Sequence, residues 1–282
     1  MAHGACRQLR ASTGLSGRRS ARYGQAQHGF AQRSLTGTCM RFSLSALLLL
    51  LCLAASAQEQ RPLRFSVSES WAMPMIKIVD GQAAGGILYD LQMRLAQKVG
   101  RRAEMLVLPR LRVQRLLVSG GIDVRCYVNP DWLVESHHQY IWSLPFMVQR
   151  DLIVARNADP DFKLEQLRDE RLGTVLGFSY PNLEPLLTTG AIHREDARTQ
   201  ELALEKLEAG RYRYAVSNHL ALAWFNRDLP PDQRLHALGE ISADLIACIV
   251  RDEPDVPTQA LLRALVQMRQ DGEFEAILAR YR

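Results

Sequence analysis

Residues 112–128 read RVQRLLVSGGIDVRCYV. The first half, through Ser119, spaces its apolar side chains as a helix does, and the pair Gly120–Gly121 stops it. The second half, Ile122 to Val128, is a short apolar run that reads as a buried strand. Working back, AEMLVLP (103–109) reads as a strand and GGILYDLQMRLAQKVG (85–100) as an amphipathic helix with Leu88, Leu91, Leu95 and Val99 on one face. LRFSVSE (63–69) is a further strand. Residues 63–128 therefore alternate βαβαβ, which implies a parallel sheet with helices on its faces.

Working forward, the alternation restarts. Strands are expected at 152–156, 171–177, 212–218 and 244–252, and helices at 164–170, 180–190, 199–210, 219–227 and 258–281, the last broken at Asp271–Gly272. Two α/β units of similar size suggest two lobes, with ligand taken outside the carboxyl ends of the strands and closure as the motion.

The N-terminal part has a different character. MRFSLSALLLLLCLAASA (40–57) has a positive start, an apolar core too short to span a bilayer, and Ala55-Ser56-Ala57 as a small-x-small cleavage site. It reads as a secretory signal peptide cut after Ala57. Residues 1–39 are arginine-rich and acid-free, a pattern shared with organellar transit peptides; we read them as a mis-assigned extension, with translation starting at Met40. Seven arginines and no acid fall within residues 1–57, so the formal charge of +5 becomes about −2 without them, and a nucleic-acid role loses its support.

Only Cys126 and Cys248 lie beyond residue 57, without zinc spacing or a disulfide framework. Cys126 sits mid-strand, which argues against an activated nucleophile and for a buried structural thiol. A bond to Cys248 is open, with two buried free thiols favoured. No metal or cofactor is expected; His137–His138 lacks a third ligand and reads as a solvated pair.

Residues 62–282 resemble the periplasmic solute-binding proteins of the amino-acid type, family 3, which serve ABC importers. The resemblance rests on the helix GGILYDLQMRLAQKVG, on RLLVSGGIDV (115–124), and on YIWSLPFM (140–147). It continues through LGTVLGFSY (172–180), EAGRYRYAVSN (208–218) and MRQDGEFEAILARY (268–281). It implies the two-lobed type II fold, each lobe a mostly parallel sheet flanked by helices and joined by two hinge strands. It places lobe 1 at 62–148 plus 246–282 and lobe 2 at 149–245, and implies a periplasmic monomer.

In that family an arginine shortly after the third strand holds the ligand carboxylate, and an aspartate after a second-lobe Ala-Val strand holds the ammonium. Here the first region is NPDWLVESHH (129–138), with no arginine, and the second is AVSNHLA (215–221), with Asn218 or His219 in place of the acid. The ligand is therefore expected not to be an ordinary α-amino acid. By position, the cleft candidates are Glu69, Ser70 and Trp71 after the first strand, Arg110 after the second, and Tyr127 and Asn129 at the end of the third. From the second lobe come Phe178, Ser179 and Tyr180 of the Gly-rich turn, with Asn218 and His219. Arg110 is the one possible cation in that set, and the rest suits a partly apolar organic anion or a neutral polar ligand.

Three functions share this fold. The first is a non-enzymatic receptor feeding an ABC permease. The second is a sensor signalling to a membrane partner. The third is a dehydratase, for which Glu69 with His219 is the only candidate acid–base pair.

Overall fold

The computed structural model describes residues 60–133 and 138–282. The expected extension, the signal peptide, its cleavage site and His137 lie outside the described residues.

The first lobe is built on β1 (Leu63–Ser68), β4 (Ala103–Leu108) and β5 (Val124–Val128), with β1 parallel to both neighbours. A small hairpin, β2 (Lys77–Val79) and β3 (Gln82–Gly85), precedes helix α1 (Ile87–Lys98). Helix α1 buries Leu88, Leu91 and Leu95 completely or nearly so. They pack with Phe65 and Val67 of β1 and with the later helices α6 (Thr258–Gln270) and α7 (Glu273–Ala279). Each such leucine contributes about 2 kcal/mol by leaving water. Helix α2 (Arg110–Val118) covers the other face through Val113 and Leu117.

The second lobe contains β8 (Arg171–Val175), β9 (His193–Ala197) and β10 (Tyr214–Asn218), with β8 parallel to both others. Helices α3 (Glu184–Thr188), α4 (Gln200–Glu208) and α5 (His219–Asn226) flank it. Two strands join the lobes. β7 (Met147–Ala155) and the 16-residue β11 (His236–Arg251) run antiparallel from His236 opposite Ala155 to Ile246 opposite Met147. β11 then continues into the first lobe between β5 and the short β6 (Tyr140–Trp142). The hydrogen-bonded order is β4-β1-β5-β11-β7-β10-β8-β9.

The expected elements differ from the observed ones where polarity masks the pattern. β9 (HREDA) has no apolar alternation, as suits a charged edge strand beside β8. β7 begins at Met147 rather than 152, because Gln149 and Asp151 face a cavity instead of a core. Residues 164–170 form only a 3₁₀ turn at Leu164–Leu167, and 180–190 are helical only at Glu184–Thr188.

One expectation is corrected outright. Cys126 and Cys248 form a disulfide, not two free thiols. They are direct partners across the antiparallel β5–β11 pair, so their side chains face each other on one side of the sheet. Asp90 and Asp123 brace the fold. Asp90 accepts from Tyr281 Oη at 2.7 Å and pairs with Arg280 at 3.1 Å. Asp123 is fully buried and accepts from Arg61 Nη1 at 2.6 Å, from Arg64 backbone N at 2.9 Å, from Arg64 Nη2 at 2.9 Å and from Arg251 Nη2 at 3.0 Å. Those guanidinium bonds hold its carboxyl well below the usual carboxylate range against its own burial.

Candidate functional site

The stretch after β1 turns at Ser70, whose Oγ lies 2.8 Å from Ser68 Oγ, and delivers Trp71 to the space between the lobes. Pro109 ends β4, and its fixed, extended-side backbone starts α2, so Arg110 is the first helical residue. A cation there opposes the helix dipole, so helix stability does not account for it.

β5 supplies the largest departure from regular geometry. Cys126 pairs with Cys248 and Val128 with Ala247, so two steps on β5 oppose one step on β11. The extra residue is Tyr127, at φ +63°, which an aromatic side chain rarely adopts. Such a bulge re-aims side chains next to a site. Here Arg125 and Tyr127 both line the interlobe pocket, while Val124 and Cys126 stay in the core. Tyr127 meets Trp71 edge-on, centroids 5.3 Å apart, and Trp132 of the following 3₁₀ turn at 5.9 Å.

On the facing side, Gln149 and Asp151 point the same way from β7, two residues apart. Gln149 Nε2 donates to Asp151 Oδ1 at 2.8 Å, which fixes the amide with its oxygen turned away. Phe178 and Ser179, on the turn after β8, complete the wall. The lobes touch in this structure. Gln200 N donates to Ser70 O at 3.2 Å, and a Cβ on Gly177 (φ +77°) would stand 3.1 Å from Arg110 Cγ. About 380 Å³ of space lies between them once the part open to solvent is counted.

Its electrostatics are uneven. Arg125 is 2% exposed, and among the described residues its Nε and Nη1 have no hydrogen-bond partner. Among the described residues no carboxylate is in ion-pair range of Arg125 or Arg110. Burial pushes both guanidinium groups below their ordinary value, and for Arg125 the charge of Arg110 adds to the effect. Arg110 Nη2 reaches Trp132 O at 3.5 Å. At the other end, burial raises the Asp151 carboxyl to about 6, with Gln149 opposing and Asp244 adding to the shift. Gln149 Oε1 is buried without a partner among the described residues.

Of the positions expected in the cleft, the structure brings together Trp71, Arg110, Tyr127, Phe178 and Ser179. The others do not line this pocket. Glu69 is exposed, and Ser70 is engaged with Ser68. Asn129 donates to Leu245 O at 3.1 Å and accepts from Asp131 N. Tyr180 Oη is held by Val175 N at 3.1 Å. Asn218 caps α5 by accepting from Ala221 N, and His219 Nδ1 accepts from Arg150 N at 3.3 Å. Glu69 and His219 therefore do not face each other across the pocket as an acid–base pair.

Arg110 is not the only cation, because Arg125 joins it; Gln149 and Asp151 were also missed. Arg125 carried a signal, a charge inside an otherwise apolar strand, but no periodicity announces a bulge. Gln149 and Asp151 lay on a segment whose polar residues hid the strand.

No protein-family model matches the sequence, and neither does any curated protein sequence. Solved structures match in shape. An ancestral arginine-binding protein bound to arginine superposes with TM-score 0.64 at 22% identity, over 79% of this chain and 99% of that one. A histidine kinase sensor domain with similarity to periplasmic binding proteins gives 0.63 at 21%, over 79% and 96%. An ancestral amino acid-binding protein, a precursor of cyclohexadienyl dehydratase, gives 0.64 at 17%, over 78% and 95%. The chain has the two-lobed type II periplasmic binding fold.

Proposed function

We propose that the protein is a non-enzymatic receptor of the periplasm that captures one small organic ligand between its lobes and hands it to an ABC importer. The carrying observation is Arg125, a buried guanidinium without a counter-charge at a place where two lobes meet. A buried charge needs a partner, and nothing in the described chain supplies one. Among the described residues the pocket walls carry rings, amides and charges but no thiol or imidazole. The ligand is not held as an ordinary α-amino acid: the two family clamps are absent, and Asn218 and His219 are engaged elsewhere. The receptor acts as a monomer.

A second reading has its own support, since one of the matching structures is a kinase sensor domain. In that reading the same closure reports to a membrane partner. Genes for a permease and an ATPase beside this one distinguish importer from sensor.

A thermal-shift screen over a metabolite library tests the reading, because a ligand that binds only the folded state raises its stability by mass action. The expected result is a small set of related compounds that raise the melting temperature and bind one-to-one in calorimetry. A flat screen contradicts the receptor reading, and consumption of a hit compound by the protein contradicts its non-enzymatic character.

A further inference from the structure

The pocket has two poles. At one end are unpartnered donors: Nε and Nη1 of Arg125, with Arg110 beside them. At the other are acceptors: the orphan Gln149 Oε1 and the Asp151 carboxyl. Tyr127, between them, feels the charges of Asp151 and Asp244. The strand register sets the poles apart. Arg125 is opposite Ile249 and Asp151 opposite Ser242, seven residues along β11. At about 3.3 Å per residue that is roughly 20 Å of strand, less what the bulges and the curl of the sheet remove. Long side chains narrow the gap, but neither arginine shifts the Asp151 carboxyl and Asp151 does not shift Arg125. An α-amino acid carries its carboxylate and ammonium on one carbon, so that pair does not reach both ends. The stretch between is walled by Trp71, Tyr127, Trp132 and Phe178.

Resting on the receptor reading above, we infer that the ligand is an elongated aromatic carboxylate. Its oxyanion lies on Arg125 and Arg110, its ring among the four aromatic side chains, and a hydroxyl or amine at its far end donates to Gln149 and Asp151. A guanidinium fork suits a planar carboxylate, and its desolvation is what makes the site demand an anion. The orphan acceptor of Gln149 selects a donor at the far end for the same reason.

Three probes separate the poles: 4-hydroxyphenylacetate, phenylacetate, which lacks the far donor, and tyramine, which lacks the oxyanion. The full-length mature protein should bind 4-hydroxyphenylacetate best, phenylacetate about tenfold more weakly, and tyramine not measurably. Gln149→Leu should erase the preference for the hydroxyl, read as the ratio of the two acids' affinities in the variant. Arg125→Met should abolish binding of both acids, a loss of at least about thirtyfold, and should raise the melting temperature of the empty protein. That last readout needs no ligand: an arginine with only a structural role would lower the melting temperature when replaced.

A fall in the melting temperature of the empty Arg125→Met protein overturns the inference. So does tyramine binding as well as the acids, or wild-type protein that ignores both acids. Metabolites without an anionic group that stabilise the wild type would remove this ligand class and leave the receptor reading standing. Silence across the whole metabolite screen would remove both.

Discussion

Asp123 and Arg125 stand two residues apart on one stretch of chain, both charged and both buried, yet the chain treats them differently. Asp123 is surrounded by three guanidinium groups and a backbone N–H, from the stretch before β1, β1 itself and the end of β11. Arg125 faces a pocket, with two of its nitrogens unpartnered and another arginine as its nearest charge. The first charge is neutralised by the fold and stitches strands together. The second is left for something the fold does not contain. A buried charge is thus not evidence of function in itself; its missing partner is.

The strongest test of the structural side is the staple beside Arg125. The Cys126–Cys248 bond closes a loop of 122 residues. Replacing both cysteines by alanine should cost about 5 kcal/mol on the loop-entropy account, read from urea unfolding of the oxidised wild type and the variant. An equal midpoint and slope in both would mean that the bond contributes nothing to the folded state.

Asp123→Ala comes next. It leaves Arg61, Arg64 and Arg251 crowded around an empty acceptor, and about 4 kcal/mol of stability should go. Chemical denaturation reads this directly, and a loss below 1 kcal/mol would place Asp123 outside the brace.

Asp151 gives the third test, through pH. Its carboxyl is raised to about 6 in the folded protein, so the folded state binds more protons than the unfolded state between about pH 4 and 6. The stability it confers is complete below about pH 4 and lost as pH rises through 6, a fall of about 3 kcal/mol in the empty protein. The Asp123 contribution moves oppositely and fades only below its ordinary titration range, so the two do not overlap. Melting curves of wild type and Asp151→Asn from pH 4 to 7 should differ by this slope. Parallel curves would show that Asp151 titrates as an ordinary carboxylate.

The smallest effect, and the one of opposite sign, is Arg125→Met. Removing a charge that nothing in the empty protein neutralises should stabilise it by about 1–2 kcal/mol. Asp123 and Arg125 would then respond to truncation in opposite directions.

Most of the fold was legible because the apolar patterns of β1, α1, β4, α2 and β5 coincide with their structural periods. β9 escaped because an edge strand need not bury a face, and most of β7 because its cleft-facing residues are polar. The site was legible by position only. Strand ends point to Trp71, Arg110, Tyr127, Phe178 and Ser179, which line the interlobe pocket, because that rule follows from topology. Asn218 and Asn129 do not line that pocket, and their short amides are engaged in a helix cap and a turn. Arg125 escaped because it lies inside β5, three residues before its end at Val128, where a rule about strand ends does not look. The disulfide was open in sequence and closed only by strand register, which two isolated cysteines cannot reveal.

The central claim is that the unpaired charge of Arg125 is reserved for a ligand's anionic group. Wild-type protein and Arg125→Met, incubated with the same bacterial metabolite extract, washed, denatured and read by mass spectrometry, test it most directly. The account predicts that the wild type retains one or a few small carboxylates at near one-to-one stoichiometry, and that the variant, equally folded, retains none of them. Equal retention by both proteins, or retention by the wild type only of molecules without an anionic group, would contradict it.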